Sequence, residues 1–200
     1  MISHVRCAAV LAVTGLLLSL PMTASAQARQ GGWIGFGVGI GSLQSSFADR
    51  DSQSETVGVS YIHFGGWERQ RWMIGIDLEG HGPIRLVGLP DVADPVTILG
   101  TVAYYPSSSR GFYVKGGTGW LGAFVDIVDE FGTKASVRVG QGFSYIAGTG
   151  WDVYVGKRLW LTPAVSFRYA HPGDMVLGGQ VRVANWSHRS VDVTLGVKFD

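Results

Sequence analysis

Positions 33–41 read WIGFGVGIG, and within this stretch large apolar residues alternate with glycine. From Ile34 to Ile40 every second residue is large and apolar, and the residues between them are glycines. Successive side chains of a β-strand point to opposite faces, so a period of two predicts a strand. One face of this strand carries large apolar side chains, and the other consists of glycines without side chains. The two faces therefore have different surroundings.

The same period of two recurs along the chain, for example in VDVTLGVKF at 191–199. The alternating segments cover residues 32–43, 56–67, 72–81, 96–105, 111–122, 142–155, 159–169 and 189–199. Each is about ten residues long or slightly longer, which is the length that a tilted strand needs to cross a bilayer. The pattern therefore predicts eight strands that span a membrane.

The composition excludes several other classes of protein. Glycine makes up 30 of the 200 residues, and a glycine inside a helix costs about 1 kcal/mol, so helical bundles are disfavoured. Only 16% of the residues are charged, which is too few for a disordered polymer. The formal net charge is +1, so there is no basic excess and we predict no nucleic-acid partner.

The N-terminal segment has the layout of a secretory signal peptide. Arg6 is followed by an apolar run at 8–20 and by the A-x-A cleavage site at 24–26. We therefore predict that residues 1–26 are a cleaved signal and that residues 27–200 form one barrel domain. Cys7 is the only cysteine, so the mature chain has no disulfide, no cysteine zinc site and no thiol nucleophile. We expect no cofactor.

No uncharged apolar run of 18 residues follows the signal, so no membrane helix is predicted. The fold class that we predict is all-β, an eight-stranded antiparallel up-and-down transmembrane β-barrel. A soluble β-sandwich also alternates and is the alternative. A sandwich explains less well why charged residues lie opposite the apolar face in nearly every strand.

The connections between the predicted strands alternate in length. Residues 68–71, 106–110 and 156–158 are short connections. The long connections are 44–55, 82–95, 123–141 and 170–188. Outer-membrane barrels have short periplasmic turns and long extracellular loops. We therefore predict an outer-membrane location with both mature termini in the periplasm. The long segments either hold a surface partner or extend the strands above the membrane.

Aromatic residues gather at the predicted periplasmic strand ends. The residues assigned to the membrane interface are Trp33, Trp67, Trp72, Tyr104, Tyr105, Phe112, Tyr154, Trp160 and Phe199. Amphipathic rings favour the headgroup level of a bilayer. The pattern predicts an aromatic girdle at this end of the barrel.

Charged residues alternate with the apolar ones and are predicted to point into the lumen. They are Asp77, Glu79, Lys115, Asp152, Arg168, Asp192 and Lys198. The lumen of an eight-stranded barrel is just wide enough to be filled by side chains, and enclosed charges must pair or bind water. Glycines on the same faces leave room for the long basic side chains. We predict a closed network; a polar path for small solutes is the alternative.

The chain resembles the small eight-stranded outer-membrane β-barrel family around the OmpA membrane domain and OmpX. The resemblance is carried by WIGFGVGIG at 33–41, GFYVKGGTG at 111–119 and the terminal VDVTLGVKF at 191–199. It implies a monomer in outer-membrane lipid and lipopolysaccharide, with the last strand read by the outer-membrane assembly machinery. It specifies an architecture rather than an activity, because such proteins serve as adhesins, stabilisers or enzymes.

One cluster of polar residues could carry chemistry. His188, Ser190 and Asp192 alternate on one face of the last strand. Lipid A deacylases resemble such a barrel and use a His-x-Ser pair, but same-face neighbours on a strand lie nearly 7 Å apart and a relay needs hydrogen-bond contact. A metal site of His81 with Asp77 and Glu79 would need ligands from other strands. We therefore predict a non-enzymatic protein without a metal, whose loops serve envelope integrity or surface interaction. A deacylase-like hydrolase and a narrow pore are the alternatives.

Overall fold

A computed structural model describes residues 31–48, 52–69, 71–85, 92–107, 111–128, 132, 134–156 and 158–199. The predicted signal segment, residues 1–26, lies outside the described residues, and so do the central parts of three predicted loops. The rest of the chain is almost entirely β-strand.

The strands follow one another as antiparallel neighbours and close into a barrel. Their bounds are β1 Gly32–Ser46, β2 Gln53–Arg69, β3 Trp72–His81, β4 Ile84–Arg85, β5 Val92–Tyr104, β6 Phe112–Val128, β7 Lys134–Trp151, β8 Val153–Gly156, β9 Leu159–Leu177 and β10 Gln180–Phe199. Strand β1 pairs with β10, from Ile34 opposite Phe199 to Ser46 opposite Ser187. This pairing leaves the described sheet without a seam.

The ten segments form eight barrel strands, as the sequence predicts. Strand β4 continues β3 along β5, and β8 continues β7 along β9 in the same register as far as Tyr154. The interruption between β7 and β8 lies beside Pro163 of β9, and proline has no N–H to donate to the ladder. The predicted fold class is confirmed.

None of the described residues belongs to a helix that is long and apolar enough to cross a membrane.

A band of apolar side chains covers the outside of the barrel and is called the apolar belt. On β1 it runs from Ile34 to Ile40, and Val38 exposes 67% of its surface. Other members are Ile62, Phe64, Trp72, Ile74, Ile76, Leu78, Val96, Ile98, Val102, Val114, Leu161, Phe167, Val191, Leu195 and Phe199. A water-soluble protein rarely exposes so large an apolar surface. The belt and the closed ladder are what a membrane-spanning barrel requires, and they exclude the sandwich.

The strands are longer than the sequence predicts, and they extend past the apolar belt at one end. The segment 170–188, predicted as a long loop, is mostly strand: β9 reaches Leu177 and β10 begins at Gln180. Gly178 and Gly179 connect them with φ of 61° and 76°, which is the backbone of a tight hairpin turn that favours glycine. The alternative in which these stretches extend and pair above the membrane is therefore correct for this segment.

The part of the barrel beyond the belt is called the protruding end; it begins at Ser42 on β1 and includes Ser190 on β10. Here the polarity of the two faces is reversed. Polar side chains such as Ser42 and Thr56 face outward, and Leu43 and Val57 are buried inside. The inward apolar residues form one cluster, called the apolar cap, of Leu43, Val57, Ile84, Ala123, Val125, Val139, Met175, Val183 and Trp186.

Candidate functional site

The interior of the barrel is filled by three successive layers of side chains. At the end where β1 begins, an aromatic layer consists of Trp33, Met73, Ala103, Tyr105 and Tyr113, with Trp67 packed against it. Ionised side chains lie in the middle, and the apolar cap closes the opposite end. The middle layer is the candidate site, because enclosed charges must be held by specific partners.

The ionised layer begins beside the aromatic layer, where Lys198 contacts the carboxylate of Asp152. Asp152 is fully buried, and its Oδ2 accepts a hydrogen bond of 2.8 Å from the hydroxyl of Tyr105. Thr162 donates to Oδ1 over 3.3 Å. The ammonium group also lies 5.5 Å from the ring centre of Trp67. The Lys198–Asp152 pair is thus held by hydroxyls and aromatic faces that replace water.

The central part of the ionised layer is built around Asp77 of β3. Lys115 of β6 reaches Asp77 with 2.7 Å between Nζ and Oδ2, and Thr101 of β5 donates to Oδ1 over 3.0 Å. The same Lys115 Nζ lies 4.0 Å from Oε1 of Glu79. Asp77 and Glu79 are successive inward residues of β3, whereas their partners lie on β5 and β6. The contacts therefore join these three strands across the lumen.

The upper part of the ionised layer is centred on Arg168 of β9, which is 1% exposed. Its guanidinium group contacts Glu79, and Nη1 lies 2.8 Å from Nδ1 of His81. Nη2 is 3.9 Å from Oδ2 of Asp192. That carboxylate oxygen accepts a hydrogen bond of 3.1 Å from the hydroxyl of Ser190. Arg168 therefore bridges β3 and β10 through two carboxylates.

All seven charged residues assigned to the lumen point inward, and each contacts a group of opposite charge. Six are nearly fully buried, and the side chain of Lys115 exposes 17%. An isolated ionised group in such surroundings carries a desolvation cost of several kcal/mol. The mutual contacts across strands offset that cost and fix which side chains meet.

The inward glycines of β1 make room for aromatic rings, whereas the sequence predicts that they make room for long basic side chains. A Cβ atom at Gly35 would collide with the imidazole of His63, and one at Gly37 would lie 2.6 Å from the ring of Tyr61. The rings of His63 and Tyr61 thus occupy the space that was assigned to lysine and arginine. His63 stacks edge-on against Trp33, with ring centres 4.6 Å apart.

Several predicted interface aromatics do not face the membrane. Trp33, Tyr105 and Trp160 are 5%, 0% and 3% exposed, and Trp67 packs against the aromatic layer. Their assignment to the interface is wrong, because each shares its side of the strand with inward residues. Tyr154 is half-buried, with its ring 5.0 Å from that of Trp160.

The other predicted interface aromatics lie on the outer surface. Trp72 and Tyr104 stack with ring centres 4.7 Å apart, and Phe112 packs at 5.2 Å against Trp151. Phe199 lies 6.1 Å from Phe36. These outward residues form the part of the girdle that can meet lipid headgroups.

The residues considered for hydrolysis do not form a relay. The hydroxyl of Ser190 donates to Asp192, and neither ring nitrogen of His188 has a hydrogen-bond partner among the described residues. All three side chains are about 1% exposed inside the barrel. A nucleophile needs contact with its base and access to a substrate, and this arrangement provides neither.

His81, Asp77 and Glu79 face the lumen, where Arg168 and Lys115 occupy the positions of possible cations. Within the described part of the chain, no group of three or more histidine, cysteine, aspartate or glutamate residues is arranged to hold a metal ion.

His188 lies between the ionised layer and the apolar cap, beyond the end of the apolar belt at Val191. Its ring centre is 5.2 Å from that of Trp186 and 6.4 Å from that of His81. Burial is the main cause that lowers the pKa of His188 to about 3; His81 and Arg168 act in the same direction, and Asp192 opposes them. His188 is therefore a neutral, buried group at ordinary pH.

An interior cavity of about 20 Å³ remains among these side chains, lined in part by His63, Lys115 and Arg168. That volume holds about one water molecule. Above it, the apolar cap fills the lumen with fully buried side chains, Trp186 the largest of them. The cavity is therefore small, and apolar side chains occupy the lumen on its cap side.

Comparisons with known proteins identify the fold. The sequence matches no family model and no curated protein. The structure is similar to that of Neisserial surface protein A, NspA, with a TM-score of 0.54 and 14% identity; the match covers 86% of this chain and 99% of that one. It is also similar to the attachment invasion locus protein Ail of Yersinia pestis, solved with the heparin analogue sucrose octasulfate. That match has a TM-score of 0.54 and 10% identity, and it covers 84% of this chain and 99% of that one.

These identities are low, so the likeness establishes the fold. This chain has the architecture of the small eight-stranded barrels of the bacterial outer membrane, and its apolar belt agrees with a place in that membrane.

Proposed function

We propose that this chain is a non-enzymatic protein of the outer membrane, closed to solutes, whose protruding end serves envelope integrity or surface interaction. The observation that carries the proposal is the filled interior. Side chains occupy the lumen from the aromatic layer to the apolar cap, and the cavity among the charged side chains is about 20 Å³. A barrel filled in this way offers its outer surface rather than its lumen to other molecules.

The ionised layer is, in this proposal, a plug that locks the strand register. Its contacts join β3, β5, β6, β9 and β10, so a slip of one residue between neighbouring strands would move the charges to the lipid side. The plug makes the barrel a rigid support for whatever extends beyond it.

The protruding end supplies the surface. At its tip, Val176 and Val181 are directly opposite each other across the β9–β10 hairpin and expose 42% and 55% of their surfaces. Exposed apolar side chains above a membrane favour contact with a partner. Ail, which has the same fold, was solved with a heparin analogue, and a surface role of that general kind suits this protruding end.

Three further features belong to the proposal. The chain works as a monomer, because the described strands pair around a closed barrel and leave no edge for a second copy. It lies among outer-membrane lipid and lipopolysaccharide. The last strand, which ends in Phe199, is read by the outer-membrane assembly machinery.

Conductance across planar bilayers tests the closed lumen. Purified protein is inserted into bilayers and recorded for steady current, with folding checked by heat-modifiable migration on a denaturing gel. We expect no steady conductance of the size that solutes require. A steady, solute-sized conductance of the folded protein would contradict the proposal and favour a narrow pore.

Lipid A composition tests the non-enzymatic assignment. Lipid A is extracted from cells with and without the gene and analysed by mass spectrometry. We expect the same acylation pattern in both. If lipid A lacks an acyl chain only in cells that carry the gene, and if the Ser190→Ala variant restores that chain, the deacylase-like alternative would be favoured.

A further inference from the structure

We infer that the outer wall of β9, β10 and β1 binds one phosphorylated glycolipid of the outer leaflet, with an acyl chain in an apolar groove and the headgroup on Arg189. The inference rests on the proposed location in the outer membrane and names a specific lipid site there. Two observations carry it: a groove within the apolar belt and a row of polar side chains directly above it.

The groove has a volume of about 480 Å³ and lies on the lipid-facing side of the barrel. Its lining side chains are those of Val38, Ile40, Pro163, Val193 and Leu195. Gly39 and Ala164 also line it, and Val38 and Ile40 expose 67% and 64% of their surfaces. Hydrocarbon must fill such a groove in a membrane, so an acyl chain is the occupant that the lining favours.

The row of polar side chains crosses four neighbouring strands. Gln44 of β1 is opposite Arg189 of β10, Arg189 is opposite Tyr169 of β9, and Tyr169 is opposite Tyr145 of β7. All four lie on the outer face, and the two tyrosines expose 43% and 54% of their surfaces. Neighbouring strands are about 4.8 Å apart, so the row is roughly 14 Å wide.

Arg189 is held in place rather than left flexible. Its Nε and Nη2 atoms donate to Oε1 of Gln44 over 2.9 and 2.7 Å. The guanidinium group is thereby oriented at the edge of the apolar belt, two outward positions above Val193. Arginine in such a position suits a phosphate, because its planar group offers several donors to one anion.

The depth of the site matches one leaflet. From Arg189 to Leu195 the strand rises about 20 Å, which at a tilt near 40° is roughly 15 Å along the membrane normal. Half of a hydrocarbon core of about 30 Å is the same depth. The row lies at the protruding end, which faces the outer leaflet in the proposed orientation. A headgroup that spans several hydrogen-bonding side chains fits a phosphorylated sugar better than a single glycerophosphate.

Native mass spectrometry of lipid retention tests the site. The folded protein is released from detergent micelles that contain equal amounts of diphosphorylated lipid A and phosphatidylglycerol. We expect wild-type protein to retain one lipid A in preference. Arg189→Gln should retain roughly tenfold less, since it loses a charged hydrogen-bonding group. Val193→Phe, which fills the groove and leaves the polar row intact, should also lose retention.

Arg182→Gln is the matched control, because Arg182 is an exposed arginine on the same strand but lies near the hairpin tip. It should retain lipid A like wild type. Equal retention by wild type and Arg189→Gln would overturn the site, and so would equal retention of phosphatidylglycerol and lipid A. These results would leave the closed lumen and the lipid A acylation pattern unchanged, so this inference can fail while the proposed function stands.

Discussion

The membrane-spanning part and the protruding end are built from the same strands with opposite polarity. On β1, Ile40 faces outward with 64% of its surface exposed, whereas Leu43, three residues further on, is fully buried inside. The inward residues change from Asp192 on β10 to Val183 and Trp186 in the cap. The pairing of β1 with β10 continues across this change to Ser46 and Ser187, whereas the pairing of β9 with β10 shifts register between Val181 and His188. What changes is the medium outside the wall, from hydrocarbon to water, and each face takes the side chains that its medium favours.

The same comparison shows two ways in which the inside of the barrel is filled. Within the belt the outer face takes the apolar residues, and the inside is filled by aromatic rings and paired charges. Beyond the belt polar residues such as Ser42 and Thr56 face outward, and the inside becomes an apolar core. The two fillings are stabilised by different forces, so they should respond differently to mutation and to pH.

The largest effect is expected in the ionised layer. Arg168→Met leaves Glu79 and Asp192 without their guanidinium partner and should destabilise the barrel by about 3–5 kcal/mol, the cost of breaking a buried pair. Urea unfolding in detergent measures the loss. The double variant Arg168→Met with Glu79→Gln should recover part of the stability. An unfolding midpoint equal to that of wild type would show that the layer does not act as a plug.

The apolar cap should respond in another way. Trp186→Ala removes the largest buried side chain of the cap and should cost about 3–5 kcal/mol locally. Hydrogen exchange should show lost protection in the β9–β10 hairpin, while the membrane-spanning part of β1 stays protected. Uniform loss of protection in both regions would mean that the two halves are a single cooperative unit.

The outer faces offer a sharper test of the boundary between the two media. Val38→Arg places a charge in the middle of the apolar belt and should cost about 2–4 kcal/mol. Ser54→Arg places the same side chain on the exposed outer face of the protruding end and should cost almost nothing. Folding titrations into lipid vesicles compare the two variants. If both substitutions lower the free energy of unfolding by similar amounts, the boundary between hydrocarbon and water does not lie between Val38 and Ser54.

The smallest effect is expected from pH. His188 is neutral in the folded protein because burial lowers its pKa to about 3, whereas an unfolded histidine titrates near 6.5. The unfolded chain therefore binds more protons between these values, and stability falls as the pH falls from about 6.5 toward 3. At pH 5 the loss should be about 2 kcal/mol.

His188→Gln should flatten this dependence, and pH-dependent unfolding of both proteins provides the measurement. If the free energy of unfolding falls equally for wild type and His188→Gln between pH 6.5 and 5, the proton uptake belongs to groups other than His188.

The alternation of residues is enough to predict the barrel and its eight strands. The alternation also indicates which aromatic residues lie inside the barrel. Trp33 has the same parity as Gly35, and Trp160 the same parity as Thr162, so parity places both inside. The distance of an aromatic residue from the strand end does not distinguish an inward ring from one at the membrane interface. The shift of phase between Ile40 and Leu43 likewise indicates that the strand continues into water.

Other features could not be read from the sequence. Which carboxylate meets which base depends on strands far apart in the chain, as in the contact between Arg168 and Glu79. The row from Gln44 to Tyr145 likewise exists only because four strands are in one register.

The sequence by itself determined the closed barrel, because a period of two sorts each strand into an apolar and a polar face, and only a closed sheet satisfies the backbone in lipid. Tertiary structure alone decided how the lumen is filled and where the wall can hold a lipid. Those properties depend on the register between strands and on the space left by their neighbours, which no single strand encodes.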